Sequence, residues 1–582
     1  MTRMPFWLAL QALVLLPAHA APRYDLAVKL DPAAGRLAAR ARITLPAGEP
    51  MALRLDARHR IETMTLDGRP LRARTGDGFR RIDLAPAARA RRLDVRWTIR
   101  AAAPDAQASH RDTLTRAAPQ IGQDGSFLPA GGAWYPLPFD AAGPLLHRYR
   151  LEVELPAAQR ALAPGDLISE TLRDGRRQVR FDMRNDSEGA DLMAGPWLEA
   201  RRTVRARDGR MLTLVTLFHP AIAELSAGYL DAAASHLAQL EGVVGDYPYS
   251  RFTIASSPTP TGFGMAGLTY LGIDVLRLPF IRNTSLPHEI LHNWWGNGVH
   301  PAPGSGNWSE GLTTFMADYA QREAQGEDAA RTMRLDWLRG LSALSPQDQG
   351  RLADFTARTH DASQVVGYHK AAMVFLMLRD TIGQPAFDDA LHRFWRTYRH
   401  RRAGWSELRV AFEQASGRDL SRFFAQWVDG SGLVRPRVAA AEIGRDGLVL
   451  TLEQPAPAYM LDLPLTLKTD AAIRTERVHV DGLHTRITLP AGSGCTELAL
   501  DPDFRLARQL AAGEAPPILR EATLDADIGL TVLAGGDAKL EAGARTLAGE
   551  WLDHPPGEVG ADEPPSRGAR MVIGSTAGID RW

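Results

Sequence analysis

A multidomain α+β chain is predicted from three observations along its 582 residues. Apolar and polar residues alternate in short runs over the first third, and apolar residues recur at helical spacing through the middle. Alternation then returns after Arg435. The length also exceeds what a single hydrophobic core ordinarily serves, so several domains are expected.

The first element stands apart from the folded body. Arg3 precedes an apolar run from Phe6 to Leu16, and Ala18-His19-Ala20 follows as a small-residue cleavage site. That is the layout of a secretory signal peptide covering residues 1–20. Spanning a bilayer takes about 20 apolar residues, so the run is short for an anchor, and no later segment offers a transmembrane span. An exported chain is therefore expected, periplasmic or secreted, and the Arg- and Ala-rich composition suits a bacterial source. Cys495 is the sole cysteine, which excludes an intramolecular disulfide and leaves stability to the cores. It follows a Gly-Ser-Gly turn and is expected to be a buried structural thiol. Lys plus Arg and Asp plus Glu balance at 68 each. Net charge thus gives no reason to expect nucleic acid or an anionic membrane as partner.

From residue 21 to 205 the strands are short and alternating, as in Tyr24–Leu30 and Leu93–Ile99, with Asp-Pro and Asp-Gly turns between them. This predicts an N-terminal all-β domain. Residues 206–434 are mainly helical: after one strand, Leu212–Phe218, helical spacing marks Ala221–Val244, Ala371–Thr381, Phe387–Arg399 and Ser406–Ala415. Residues 435–512 return to strands. The extension 513–582 reads as small and α/β, with strands at Ile528–Leu533 and Arg570–Ile573 and a helix at Ala538–Leu552. A Pro-, Gly- and acid-rich mobile loop is expected at Pro555–Pro565.

The chemistry concentrates in His288-Glu289-Ile290-Leu291-His292. Positions four apart share a helix face, so both imidazoles can reach one metal ion, and Glu289, one step round, can hydrogen-bond a water on it. Zinc accepts three protein ligands with a fourth position open, and lowers the pKa of a bound water to about 7. A carboxylate then takes that water's proton as it attacks a carbonyl. The pentapeptide alone is short enough to arise by chance. Downstream, Asn307-Trp308-Ser309-Glu310-Gly311 opens a second helix running to Tyr319, and Glu310 is the natural third ligand.

His-Glu-Ile-Leu-His-Asn-Trp-Trp-Gly-Asn followed by Asn-Trp-Ser-Glu-Gly resembles the alanyl aminopeptidase family of gluzincin zinc metallopeptidases. The family places eighteen residues between its second His and its Glu; this chain has seventeen, and the Pro- and Gly-rich loop 299–306 can absorb the deletion. Val366-Gly367-Tyr368-His369-Lys370 resembles the family motif whose Tyr donates to the tetrahedral oxyanion, which assigns that role to Tyr368; an ordinary helix-start aromatic is the alternative. Leu420–Trp427 resembles the end of the family's catalytic domain, and Asp501-Pro502-Asp503-Phe504 the close of the β-domain after it. The resemblance implies a thermolysin-like catalytic domain, a β-sandwich at 435–512, one zinc ion per chain and peptide substrates.

One stretch departs from the family. Its Gly-x-Met-Glu-Asn strand edges the cleft, and the Glu grips the substrate's free α-amine. Here Gly264-Met265-Ala266-Gly267 stands in the corresponding place as the substrate-binding stretch, with Ala266 where a carboxylate would be. Its main chain can still pair with an extended substrate. Asp274 is a candidate replacement anchor, a loop acid its commoner reading. Asp318, eight residues after Glu310, is a candidate partner of a metal-bound His, with a solvated acid as the alternative. Asn293 and Asn297 can brace the cleft or serve as caps. Trp294 and Trp295 are expected in the core, and His300, His360 and His369 in loops or at the surface. The expected activity is peptide hydrolysis, foremost as an aminopeptidase. A zinc endopeptidase, a small-amide hydrolase and an inactive zinc-retaining scaffold are the alternatives.

Overall fold

The structure is a computed structural model. It describes residues 21–582 apart from 49, 77, 109–117, 141–142, 358–361, 445–446, 470–471, 491–494, 512, 517–518, 524, 526, 553–554 and 564–568. The expected leader, 1–20, and His360 lie outside the described residues. The chain divides into two units, residues 1–104 with 117–196, and residues 105–116 with 197–582.

Strand alternation builds the first unit. In Arg23–Asp31 the side chains of Tyr24, Leu26, Val28 and Leu30 are buried while Arg23, Asp25, Lys29 and Asp31 are exposed, so one face packs and the other is solvated. This strand runs antiparallel to Arg36–Leu45 and parallel to His147–Pro156 inside an eight-stranded sheet. A four-stranded and a five-stranded sheet complete the unit, whose described residues are otherwise turns, loops and one short 3-10 helix, Ala130–Gly132.

The second unit opens one strand earlier than the alternation suggests. Leu198–Arg205, assigned from sequence to the N-terminal domain, pairs antiparallel with Met211–Phe218. It heads a five-stranded sheet whose order continues through Arg251–Ser257 and Leu268–Gly272 to Gly262–Met265 at the far edge. Alternation identifies a strand but not its partner, and the reversal at Asp208-Gly209 decides the pairing here. Helix Ser226–Val243 packs against Met211–Phe218 and against helix Ser285–Leu291 through Tyr229, Ala233, Leu237 and Leu240.

Every residue from Ala371 to Leu378 is buried, which makes Ala371–Ile382 the central helix of the helical body. Gln384–Tyr398 and Trp405–Ser416 lie beside each other, burying Phe387, Leu391, Phe394 and Trp395 from one and Leu408 and Phe412 from the other. Trp294 and Trp295 are core residues, as expected; His300 is also buried, because its segment forms a parallel bridge to Arg402–Ala403. Beyond the helices, two three-stranded sheets form a β-sandwich, one led by Arg437–Gly444 and the other centred on Leu461–Thr469. Cys495 opens a strand of the second sheet and is only half-buried. In the extension, Gly529–Leu533 is the middle of three parallel strands, with helix Ala538–Trp551 on their small core. Part of the expected loop is ordered, since Gly557–Glu558 pairs with Gly529 and Leu530. Among the described residues no helix is long and apolar enough to cross a membrane.

Candidate metal centre

Helix Ser285–Leu291 is short and carries Pro287 in its first turn, where no intrahelical N–H bond is lost. His288 and His292 lie one turn apart with ring centroids 4.9 Å apart. The chain reverses directly after His292, with the Trp294 N–H on the Leu291 carbonyl and the Asn297 N–H on the His292 carbonyl. Gly296 takes φ +109° in that reversal, which an L side chain rarely adopts.

Glu310 arrives on Ser309–Thr313, whose start is fixed by Asn307 Oδ1 accepting from the Ser309 N–H and hydroxyl. Gly311 faces Ala371 so closely that any Cβ would overlap the Ala371 methyl; this glycine brings the Glu310 helix onto the segment carrying Tyr368. Glu310 Oε2 lies 3.3 Å from His292 Nε2 and 3.7 Å from His288 Nε2.

The other ring nitrogens are engaged. His288 Nδ1 donates to Asp318 Oδ2 at 2.9 Å, and His292 Nδ1 donates to the Trp295 carbonyl at 2.9 Å. Both acceptors place the proton on Nδ1 and leave each Nε2 lone pair directed at Glu310. The ligand atoms of His288, His292 and Glu310 lie within 4.8 Å of one another. Glu310 Oε2 is buried and has no hydrogen-bond partner among the described residues. Tetrahedral zinc with ligands at about 2.0–2.2 Å needs its donors roughly 3.3–3.6 Å apart, so the Glu310 separations and the donor set fit such an ion.

Electrostatics point the same way. Burial alone would lower both imidazoles, but Asp318 and Glu310 push His288 well above its ordinary value, and Glu310 and Glu289 raise His292. Burial would raise Glu310, yet His292 and His288 hold it well below the usual carboxylate range. The pocket thus favours positive charge between its carboxylates. Glu289 differs: burial is the largest influence and its pKa is raised, although both imidazoles work against this.

Asp318 and Tyr368 both sit in π-helical turns, Thr314–Tyr319 and Val365–Lys370. The first continues the Glu310 helix and leads into Ala320–Gln325, beyond the Tyr319 end expected from sequence. Eight residues along a regular α-helix come round about 80° off the starting face, whereas the extra residue taken up by a π turn restores it. That is how Asp318 reaches His288. The Tyr368 ring lies parallel to the His288 ring, with centroids 6.4 Å apart and a 7° interplanar angle, and edge-on to Phe355.

The strand Gly262–Met265 passes over the metal helix. A Cβ at Gly264 would stand 2.5 Å from Glu289 Oε2, so the absence of a side chain there makes room for the carboxylate. Met265 and Ala266 are buried, and Ala266-Gly267 closes a two-residue hairpin with φ +76° at Gly267. Asp274 does not serve as a replacement anchor: its side chain is 89% exposed and pairs with Arg277 on the short helix Ile273–Arg277. Sequence reasoning underweighted Asn293 and Asn297, both of which contact the hairpin. The signal was their place one and five residues past the second His, on the reversal that brings the chain back to the strand.

Residues 283–427 match the sequence profile described as the peptidase family M1 domain. Aminopeptidase N of Streptomyces lividans is 23% identical over 364 residues, 56% of this chain and 40% of that protein. Aminopeptidase M1-C of Oryza sativa subsp. japonica is 27% identical over 177 residues, 29% of this chain and 19% of the relative. The chain therefore spans less than half the length of these relatives. Among solved structures, an M1 zinc metallopeptidase from Deinococcus radiodurans superposes with TM-score 0.58 at 22% identity, covering 71% of this chain and 95% of its own. Legionella pneumophila aminopeptidase A, in complex with aspartic acid, gives TM-score 0.70 at 17% identity over 91% of this chain and 62% of its own. Both share the fold.

Proposed function

From its membership of the alanyl aminopeptidase family of M1 zinc metallopeptidases, we propose that this chain hydrolyses peptide bonds, foremost as an aminopeptidase. The observation that carries the proposal is the convergence of His288 Nε2, His292 Nε2 and the Glu310 carboxylate beside a half-buried Glu289. His288, His292 and Glu310 would hold one zinc ion, which when bound polarises a carbonyl and makes water nucleophilic near neutral pH. Glu289 accepts the attacking water's proton; burial has raised its pKa toward the working pH, which suits a general base. Asp318 keeps His288 in the tautomer that offers Nε2. The Tyr368 hydroxyl donates to the oxyanion, and the strand at Gly264 lines the substrate's main chain.

The buried Ala266 supports a second feature. With no carboxylate there and Asp274 committed to Arg277 at the surface, a free α-amine loses its family anchor. An ammonium entering a buried site without a paired charge is costly, so discrimination between free and blocked N-termini is weakened. This favours endopeptidase or small-amide activity as the second reading. An inactive scaffold fits less well, because mere zinc retention needs neither Glu289 nor Tyr368. We extend the proposal to an exported enzyme on the strength of the leader, residues 1–20.

The test is turnover of a peptide panel, free and N-acetylated, before and after chelation and zinc restoration. Zinc-dependent cleavage is expected, with a preference for the free amine below about 10³ in kcat/KM, or roughly 4 kcal/mol. A larger preference would mean that another group replaces the anchor. No cleavage in any zinc-loaded sample would overturn the enzymatic reading.

A further inference from the structure

Antiparallel pairing alternates between residues whose main-chain groups bond across the pair and residues whose groups point outward. The Gly272 N–H donates to the Thr261 carbonyl at 2.8 Å, one step outside the Gly262–Leu271 pair. Positions 263 and 265 are therefore the inward-bonding ones, and Gly262 and Gly264 turn their main-chain groups outward. Gly262–Met265 is the last strand of its sheet, so those groups face an open edge.

Two carboxamides reach this hairpin from the reversal after the metal helix. Asn297 Nδ2 donates to the Gly264 carbonyl at 3.3 Å. Asn293 Oδ1 accepts from the Gly267 N–H at 2.8 Å, while its Nδ2 donates to the Ile290 carbonyl at 2.8 Å. Because its partners are a backbone donor and a backbone acceptor, the orientation of the Asn293 amide is fixed. Tyrosines hold both in turn: the Tyr249 hydroxyl donates to the Asn297 carbonyl and the Tyr247 hydroxyl to Asn293 Oδ1.

On the peptidase reading above, we propose that Asn293 and Asn297 are positioning residues that hold the edge strand at a set height over Glu289. By occupying the Gly264 carbonyl, Asn297 also confines pairing with an extended peptide to the Gly264 N–H and the Gly262 main chain. A substrate therefore finds backbone partners on the side of Gly264 that leads to Gly262. On the other side it meets the closed turn at Ala266-Gly267.

Asn297→Asp keeps the shape but replaces the donor with an acceptor facing a carbonyl, and Asn297→Ala removes the contact without that repulsion. In both zinc-loaded variants the amides of residues 262–272 should exchange with deuterium about tenfold faster, with zinc content retained. KM for a tripeptide should rise about tenfold with a smaller change in kcat, and an amino-acid anilide, which offers little main chain to pair, should be affected less. In the Glu289→Gln background, where turnover is slowed about 10²–10⁴-fold, calorimetric affinity for the same tripeptide should fall by a similar factor to the rise in KM. Unchanged exchange and unchanged tripeptide affinity would overturn the proposal. So would an equal loss on tripeptide and anilide, which marks general damage. Should the wild type cleave no peptide, the peptidase reading falls, and the exchange and affinity results still decide the role of the asparagines.

Discussion

Substituting Gly264 with alanine separates the position of the proposed base from the integrity of the fold. The added Cβ would stand 2.5 Å from Glu289 Oε2, and 3.3 and 3.4 Å from His292 Cβ and Cδ2. Carbon in ordinary contact keeps about 3.5 Å, so the carboxylate must withdraw by roughly 1 Å and the imidazole by only a tenth or two. Gly264 is not in the left-handed region, so alanine brings no backbone strain. The displaced atom is the end of a flexible side chain, and stability should change little. Misplacing a reacting group by about 1 Å can cost on the order of 10²-fold. Gly264→Ala is therefore expected to keep its zinc and its melting temperature while kcat for a tripeptide falls about a hundredfold. The assays are elemental analysis, calorimetry and steady-state kinetics on one preparation. A kcat within about threefold of wild type would show that Glu289 either does not act from this position or has another route to it.

Three further outcomes test the centre. His288→Ala and Glu310→Ala should each lose zinc and activity together; full occupancy by elemental analysis in both would refute the ligand assignment. Glu289→Gln should retain zinc and lose about 10²–10⁴-fold in rate, and Tyr368→Phe about 10²–10³-fold; a wild-type kcat in the latter would move the oxyanion donor elsewhere. Asp318→Asn should weaken zinc affinity by about 10–100-fold in a chelator competition while the helix remains folded, and unchanged affinity would leave Asp318 without that role.

The parts of this molecule legible in its sequence are those set by short-range periodicity. The His288–His292 spacing follows from one helical turn, and Ala371–Ile382, Gln384–Tyr398 and Trp405–Ser416 were foreseen to within a few residues because apolar stripes persist over several turns. Partner choice was not legible. Leu198–Arg205 reads equally well as the last strand of one domain or the first of another, and only its pairing with Met211–Phe218 decides. Asp274 lies close in sequence to the Ala266 turn, but Gly272 begins a helix that carries it to the surface, so proximity along the chain misled. Asn293 and Asn297 were ambiguous because a carboxamide serves a cap, a surface bond or a tertiary clamp without changing the local pattern. The hairpin that selects the last of these is assembled from more than twenty residues upstream.

The π turn at Thr314–Tyr319 has a consequence for engineering. It absorbs one residue more than regular winding wants, so the eight residues from Glu310 to Asp318 turn through nearly the angle that seven would in an α-helix. Removing one residue from this segment should let the helix close into uniform α geometry. With the deletion placed between Glu310 and Asp318 the spacing becomes seven residues, about 20° off the starting face, so Asp318 should still reach His288 and zinc should be held about as tightly. Straightening the turn with all its residues kept would instead carry Asp318 about 80° round the helix, a change that a metal-affinity screen would reveal and a stability screen would miss.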